Sequence, residues 1–424
     1  MAKTITGKQV GDSYYQVEHP SGLTVLLYPK EHCSTTYAIF GTRYGSIDNC
    51  FQRSDEAGPE SVPEGIAHYL EHKLFESEEG DAFERFSKTG ASANAFTSFE
   101  STCYLFSTTD QVYQSLEILL DFVQSPYFTE ETVRKEQGII GQEIKMYDDD
   151  PQWRVMFNYL KAMYHSHPIR EDIAGTVESI AKITPELLYR CYNTFYNLGN
   201  MVLAIAGNFQ VDKALAVCDK MLKPAAPVTV KRVFPQEPDT IVQPVVEERL
   251  SVASPLFQFG FKEPGADQPR SEKDVAATEV LLETLASDAS PLFRRLLDQG
   301  LVNESSFSYE YFEGNGYATV MFSGESKDPQ AVAQAILEEV ERFQREGIPA
   351  EAFERSKRAL YGELVAALNS TGSIANGLVN MHLKGRELFT YIDSLASLRL
   401  EDGEERLRKV FQRERSVLSV ILPH

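Results

Sequence analysis

Apolar residues at Ile66, Leu70 and Leu74 fall one helical turn apart, so this stretch reads as an amphipathic helix burying one face. Just ahead of it, Ser61-Val62-Pro63-Glu64 has the form of a capping box with a proline in the first turn, and it predicts where the helix begins. A second helix is predicted over 129–146, with Thr129 as N-cap and Glu130 and Glu131 in the turn where negative charge suits the helix dipole. Apolar runs at 23–28, 37–40, 201–206, 252–261 and 416–422 are short and lack this period, so they read as strands.

The order of these signals repeats. Prolines 224, 227, 235, 238 and 244 crowd a stretch unsuited to helix or central strand, a linker at 224–244 between 1–223 and 245–424. On either side come extended runs, a helix, a glycine-containing loop leading into strands, long amphipathic helices and a closing β-rich run. The expectation is an α+β protein of two homologous domains, each a mainly antiparallel sheet with helices packed on one face. The second-half helix matching 66–74 falls near 274–286 and has no histidine, so a histidine-based metal site belongs to the first half alone.

The chemistry concentrates in His68-Tyr69-Leu70-Glu71-His72. On a helix the two imidazoles share a face with the Glu71 carboxylate beside them, an arrangement able to hold Zn²⁺ and activate its water; the order H-x-x-E-H is the inverzincin string. Catalytic zinc takes three protein ligands and an open position. Spacing does not locate the third, but the helix over 129–146 offers Glu136 and Glu143 on one face. No G-x-S-x-G elbow and no catalytic-type cysteine motif competes. His165-Ser166-His167-Pro168 reads as a loop rather than a second metal site, and Asp148-Asp149-Asp150-Pro151 as a solvated helix end rather than a calcium loop.

Charge and composition narrow the setting. The 424 residues carry 41 Lys and Arg against 62 Asp and Glu, a net charge of −21, which argues against nucleic acid and anionic membranes and allows cationic peptides. No secretory h-region or spanning apolar run is present, and five scattered cysteines without C-x-x-C pairs suit a reducing cytoplasm.

His68-Tyr-Leu-Glu-His72, followed by Gly90-Ala-Ser-Ala-Asn94-Ala95-Phe96-Thr97 and by Glu136 with Glu143, resembles the pitrilysin/insulinase family of zinc metallopeptidases, which includes the mitochondrial processing peptidase. Gly41-Thr-Arg-Tyr-Gly-Ser46, Phe195-Tyr196-Asn-Leu-Gly-Asn200-Met201 with Gly207-Asn208, and Ser290-Pro-Leu292-Phe293 with Gly316 and Gly324 extend the resemblance over nearly the whole chain. It implies one Zn²⁺ on His68, His72 and Glu143, Glu71 as general base, and Glu136 as an additional acidic residue supporting the site. It also implies that 94–97 is a sheet edge to which a peptide substrate adds as a strand.

One departure bears on assembly. Active members carry a substrate-clamping Arg and Tyr in the second half, and here those positions hold Leu297 and Asn303; Arg294 and Arg295 are close but on another helix face. The resemblance therefore implies the zinc-bearing half of a paired peptide-processing protease, whose paralogous partner lacks the zinc motif and brings the Arg-Tyr pair. The alternatives are a non-catalytic structural subunit and a peptide-binding scaffold with structural zinc.

Overall fold

The computed structural model describes every residue except Met1, Glu79, Ala225, Pro227, Ala266 and Asp267, so Pro227 of the proline-rich stretch lies outside the described residues. A seven-stranded sheet is built from β1 (Ala2–Gly7), β2 (Asp12–Glu18), β3 (Thr24–Pro29), β4 (Thr36–Thr42), β5 (Ser92–Thr97), β6 (Thr102–Thr108) and β7 (Met201–Gly207). Its order is β1-β2-β3-β7-β4-β6-β5, and β3–β7 is its one parallel pair among the described residues. A five-stranded sheet holds β8 (Val245–Leu250), β9 (Leu256–Lys262), β10 (Ser308–Gly314), β11 (Tyr317–Glu325) and β12 (Ser416–Pro423) in the order β8-β12-β9-β11-β10. Here β8–β12 is the parallel pair. Matched by chain order, the last five positions of the first sheet and the five of the second have one topology, so the internal repeat is a repeat of strand connection. Of the apolar run expected at 252–261 only 256–261 is strand, in β9; 252–255, where Pro255 cannot donate to a ladder, lies between β8 and β9.

Six helices matter below: α1 (Ile66–Leu74), α2 (Val112–Val123), α3 (Glu130–Asp148), α4 (Pro151–Met163), α5 (Glu272–Ala286) and α6 (Thr371–Leu383). The N-terminus of α3 is as expected, with Thr129 Oγ1 accepting from Thr132 N at 3.2 Å. The acid run beyond it divides between the end of α3 and a cap for α4, where Asp150 accepts from Gln152 N and Trp153 N. The capping box at 61–64 is not formed. Glu60–Ser61 is a short strand paired with Cys50–Arg53, so the chain is still extended there, and α1 starts instead from Gly65 at φ 85°. A Cβ on Gly65 would lie 2.3 Å from Ala174 O, so both the left-handed turn and the close approach require glycine.

The chain forms two compact units that follow the sheets rather than the halves of the sequence. The first holds Met1–Ile144, Glu171–Val233 and Val365–Thr390; the second holds Lys145–Arg170, Phe234–Leu364 and Tyr391–His424. Each thus contains a helix from the other half of the chain, α6 in the first and α4 in the second. Within the first unit, Tyr104 and its cross-strand partner Phe40 project to one face, where Tyr104 packs on Phe122 of α2 and on Phe75 at the end of α1. Helices cover this face as expected. The opposite face carries α6: Asn376 donates to the Tyr37 hydroxyl at 3.2 Å, and Val379 closes over Gly41. With both faces covered, β7 is buried along its length. Among the described residues no helix is long and apolar enough to cross a membrane.

Candidate metal centre and active site

Helix α1 stacks His68 and His72 on one face, their rings edge to face with centroids 4.6 Å apart. Helix α3 crosses them with Glu143, which approaches His68 Nε2 at 3.8 Å and His72 Nε2 at 3.5 Å. Donor atoms of His68, His72 and Glu143 all lie within 4.8 Å of one another, a group of three able to hold a metal ion. The two helices are tied by Tyr69, fully buried between the histidines in sequence, whose hydroxyl donates to the Val133 carbonyl of α3.

Glu136, the other carboxylate on this face of α3, sits at His72 Nδ1 at 3.1 Å. That bond places the ring proton on Nδ1 and leaves the Nε2 lone pair aimed at Glu143 and His68, the usual way a carboxylate orients a metal-binding imidazole. Burial first, then the neighbouring His72, brings the His68 pKa down to about 4, so this ring is neutral with a lone pair to give. Burial also acts to lower His72, but the Glu136 bond and the charges of Glu71 and Glu143 outweigh it and its pKa is raised. His68 Nδ1 is buried without a hydrogen-bond partner. Two imidazoles and one carboxylate around a common point, with no fourth protein donor in the group among the described residues, fit a divalent metal of zinc's preferences with one position open.

Glu71 points toward the sheet, where it accepts a hydrogen bond from Thr97 Oγ1 at 2.9 Å. Burial raises its pKa above the usual carboxylate range, with Glu143 adding to the effect. Glu71 and Glu136, near neighbours in space, are thereby driven in opposite directions: burial acts to raise Glu136 too, yet its bond from His72 holds it low.

Thr97 ends β5, the last strand of its sheet, so one side of the β5 backbone is unpaired within that sheet. Along it Asn94 and Phe96 are exposed while Ala95 and Thr97 are half-buried, and Asn94 Oδ1 accepts from Ala95 N at 2.9 Å. Two roles had no signal in the sequence. Tyr69 reads as ordinary core, and nothing marks Thr97 as the partner of Glu71, because both contacts join residues far apart in the chain.

Among the described residues the second half supplies no comparable group around Leu297 and Asn303. Leu297 lies on the helix Pro291–Asp298, and Asn303 Oδ1 is used in a turn, accepting from Ser305 N and Ser306 N. Arg295 is engaged by Glu339 at 3.4 Å and by the Ala335 carbonyl, and Arg294 is exposed. The His165–His167 loop binds a carboxylate rather than a metal: Glu237 accepts from the backbone N–H groups of His165, Ser166 and His167. His167 has both ring nitrogens engaged, with Asn315 O and Ile169 N.

Comparison with known proteins shows the family to which the chain belongs. The pattern described as insulinase (peptidase family M16) matches residues 60–177, and the pattern described as peptidase M16 inactive domain matches residues 182–360. The chain is 39% identical to a Bacillus subtilis protein named uncharacterized zinc protease YmfH, covering 100% of both. The chain belongs to the insulinase family of peptidases, M16. This M16 chain is also 27% identical to the uncharacterized zinc protease YmxG of Bacillus subtilis, over 85% of the chain and 88% of that protein. It superposes on the crystal structure of a putative M16-like peptidase from Alicyclobacillus acidocaldarius with TM-score 0.91, at 35% identity, covering 100% of this chain and 98% of the other. The first matched stretch contains His68, Glu71, His72, Glu136 and Glu143; in the second, α5 carries no histidine.

Proposed function

We propose that this M16 chain is a zinc endopeptidase of the cytoplasm that cleaves short or unfolded peptides, as in leader or peptide processing, and that it works paired with a paralogous subunit. The observation that carries the reading is the convergence of His68, His72 and Glu143 donors within 4.8 Å beside a buried carboxylate, Glu71, that is not one of the three. One zinc ion would be held by those three residues, and it would supply a Lewis acid for the peptide carbonyl and a water of lowered pKa. Glu71, its own pKa raised by burial, is placed to take a proton from the attacking water at its carboxylate and pass it to the leaving amine. Thr97 fixes the direction of Glu71, and Glu136 keeps His72 in the tautomer that binds. The open side of β5, over Asn94, Ala95, Phe96 and Thr97, takes the substrate backbone as an added strand, which makes recognition tolerant of sequence.

Pairing rests on what this chain lacks. Leu297 and Asn303 stand where a clamp for the substrate backbone is expected, and Arg295 is already committed to Glu339. A paralogue without the zinc motif supplies the clamp. The five free cysteines suit a reducing compartment.

The test is zinc content measured together with peptide cleavage. The wild-type chain is expected to bind one zinc and the His68→Ala/His72→Ala variant none. Glu71→Gln is expected to keep its zinc and lose about 10²–10⁴-fold in cleavage, the usual contribution of a general base. Stoichiometric zinc in the double variant, or undiminished cleavage by Glu71→Gln, removes the reading.

A further inference from the structure

Thr42, Thr102 and Thr97 stand abreast on β4, β6 and β5, paired in register so that their side chains share one face of the sheet. Each hydroxyl has a single proton to give. Thr42 donates its proton to the Phe195 carbonyl at 2.6 Å and Thr102 its own to the Tyr44 carbonyl at 2.9 Å, and both residues are fully buried. Tyr44 is itself held in place, its ring stacked on Phe195 with centroids 4.0 Å apart. Thr97, outermost in the row and half-buried, gives its proton to Glu71 at 2.9 Å. Its Oγ1 also lies 3.4 Å from Thr102 Oγ1. With its proton committed to Tyr44, Thr102 meets Thr97 only as an acceptor.

We propose that Thr102 is a positioning residue for the general base, acting on Glu71 through Thr97. The inference rests on the peptidase reading and adds to it a buried residue outside both the metal group and the edge strand. Threonine has few χ1 states, and here two acceptors, Glu71 Oε2 and Thr102 Oγ1, favour the same one. Without the Thr102 oxygen, a methyl group faces Thr97 Oγ1. The Thr97 methyl is then the better neighbour for that surface, and the rotation that brings it there carries the hydroxyl away from Glu71. Glu71 loses the bond from Thr97, and its aim at the attacking water loosens. Thr102 is fully buried, so it acts without touching the substrate.

The experiment measures kcat and KM for an internally quenched, unstructured decapeptide with the zinc-loaded full-length chain and with its Thr97→Val, Thr102→Val, Thr102→Ser and Thr97→Val/Thr102→Val variants. Thr102→Val is expected to lose roughly tenfold in kcat at unchanged KM and zinc content, less than Glu71→Gln because the carboxylate is misaimed rather than removed. Thr102→Ser keeps the hydroxyl and is expected to restore kcat. The double variant is expected to be no slower than Thr97→Val alone, since Thr102 has nothing to act through once Thr97 lacks its hydroxyl, whereas a merely structural role multiplies the two losses. Thr102→Ala, which adds no bulk, is expected to repeat the pattern of Thr102→Val, and a crystal structure of either is expected to show Thr97 Oγ1 turned away from Glu71. Unchanged kcat in both hydroxyl-free variants, losses that multiply in the double variant, or Thr97 unturned in the crystal overturns the inference and leaves the peptidase reading standing. If the wild-type chain, alone and with its paralogue, cleaves no peptide, the peptidase reading falls and the inference with it.

Discussion

At the scale of single residues, Glu71, Glu136 and Glu143 show how little residue type decides. Each is a glutamate near two histidines, and their partners set them apart: Glu71 meets Thr97, Glu136 meets His72 Nδ1, and Glu143 meets both Nε2 atoms. Metal content in substituted proteins should therefore fall in a definite order. Glu143→Gln removes a charged donor and is expected to lose most of its zinc at micromolar free metal. Glu136→Gln loses only an orienting carboxylate, and a drop of about 10–100-fold in affinity is expected. The reverse order in a zinc competition titration would falsify the assignment of Glu143. The helix pair Glu136/Glu143 was visible from spacing alone, because seven residues make two turns. Which of the two faces the lone pairs was not, since it depends on how α3 is rotated against α1, and the Tyr69 hydroxyl bond to Val133 belongs to that packing.

Secondary-structure elements carry the next two predictions. Helix α1 begins at Gly65 in the left-handed region, and an alanine there meets both the backbone cost and the Ala174 carbonyl. Gly65→Ala is expected to destabilise the protein by at least about 1–2 kcal/mol, the cost of a left-handed L-residue, and to weaken zinc binding through the displaced start of the helix. Urea unfolding and metal content measure both; a variant as stable as wild type would show that α1 starts elsewhere. The expected box at Ser61 failed for a tertiary reason, since the strand pairing of Glu60–Ser61 holds those residues extended. The second prediction concerns the proline-rich stretch, which in the second unit is anchored rather than loose. Glu237 accepts from Lys262 at 2.6 Å and from three backbone N–H groups. Burial opposes ionisation there, but these bonds prevail and its pKa falls from 4.5 to about 2. A pKa lower in the folded state means stabilisation that is full above about pH 4.5 and lost as pH falls toward 2. Glu237→Gln should be less stable than wild type at pH 7, with the gap closing across that window. A gap independent of pH in denaturant titrations would rule out the ionised carboxylate as its cause.

For the whole molecule the open question is assembly. The proposed zinc donors, the proposed general base and the edge strand are all in the first unit, yet holding a scissile bond in place needs a grip on the substrate backbone, and a misplacement of about 1 Å costs roughly 10²-fold. The isolated chain is expected to be zinc-loaded and weakly active, and its paralogue to raise cleavage by orders of magnitude at unchanged metal content in a one-to-one complex. High activity of the lone chain, unchanged by the partner in a cleavage titration followed by light scattering, would end the heterodimer proposal. The sequence by itself determined the features that are local or periodic: α1 with its two histidines and glutamate, the α3 stripe with Glu136 and Glu143, the strands at 23–28, 37–40, 201–206 and 416–422, and the repeat that appears as one strand order in both sheets. Only the tertiary structure decided that α4 and α6 belong to the units of the opposite halves, that Thr97 holds Glu71, that Tyr69 ties α1 to α3, and that Phe75, Phe83 and Ile139 enclose a cavity beside the edge strand. The physical reason is common to all four. Each is a contact between residues distant in the chain, chosen by how apolar faces and polar groups are jointly satisfied in the packed state, and local pattern carries no information about which distant partner meets that demand.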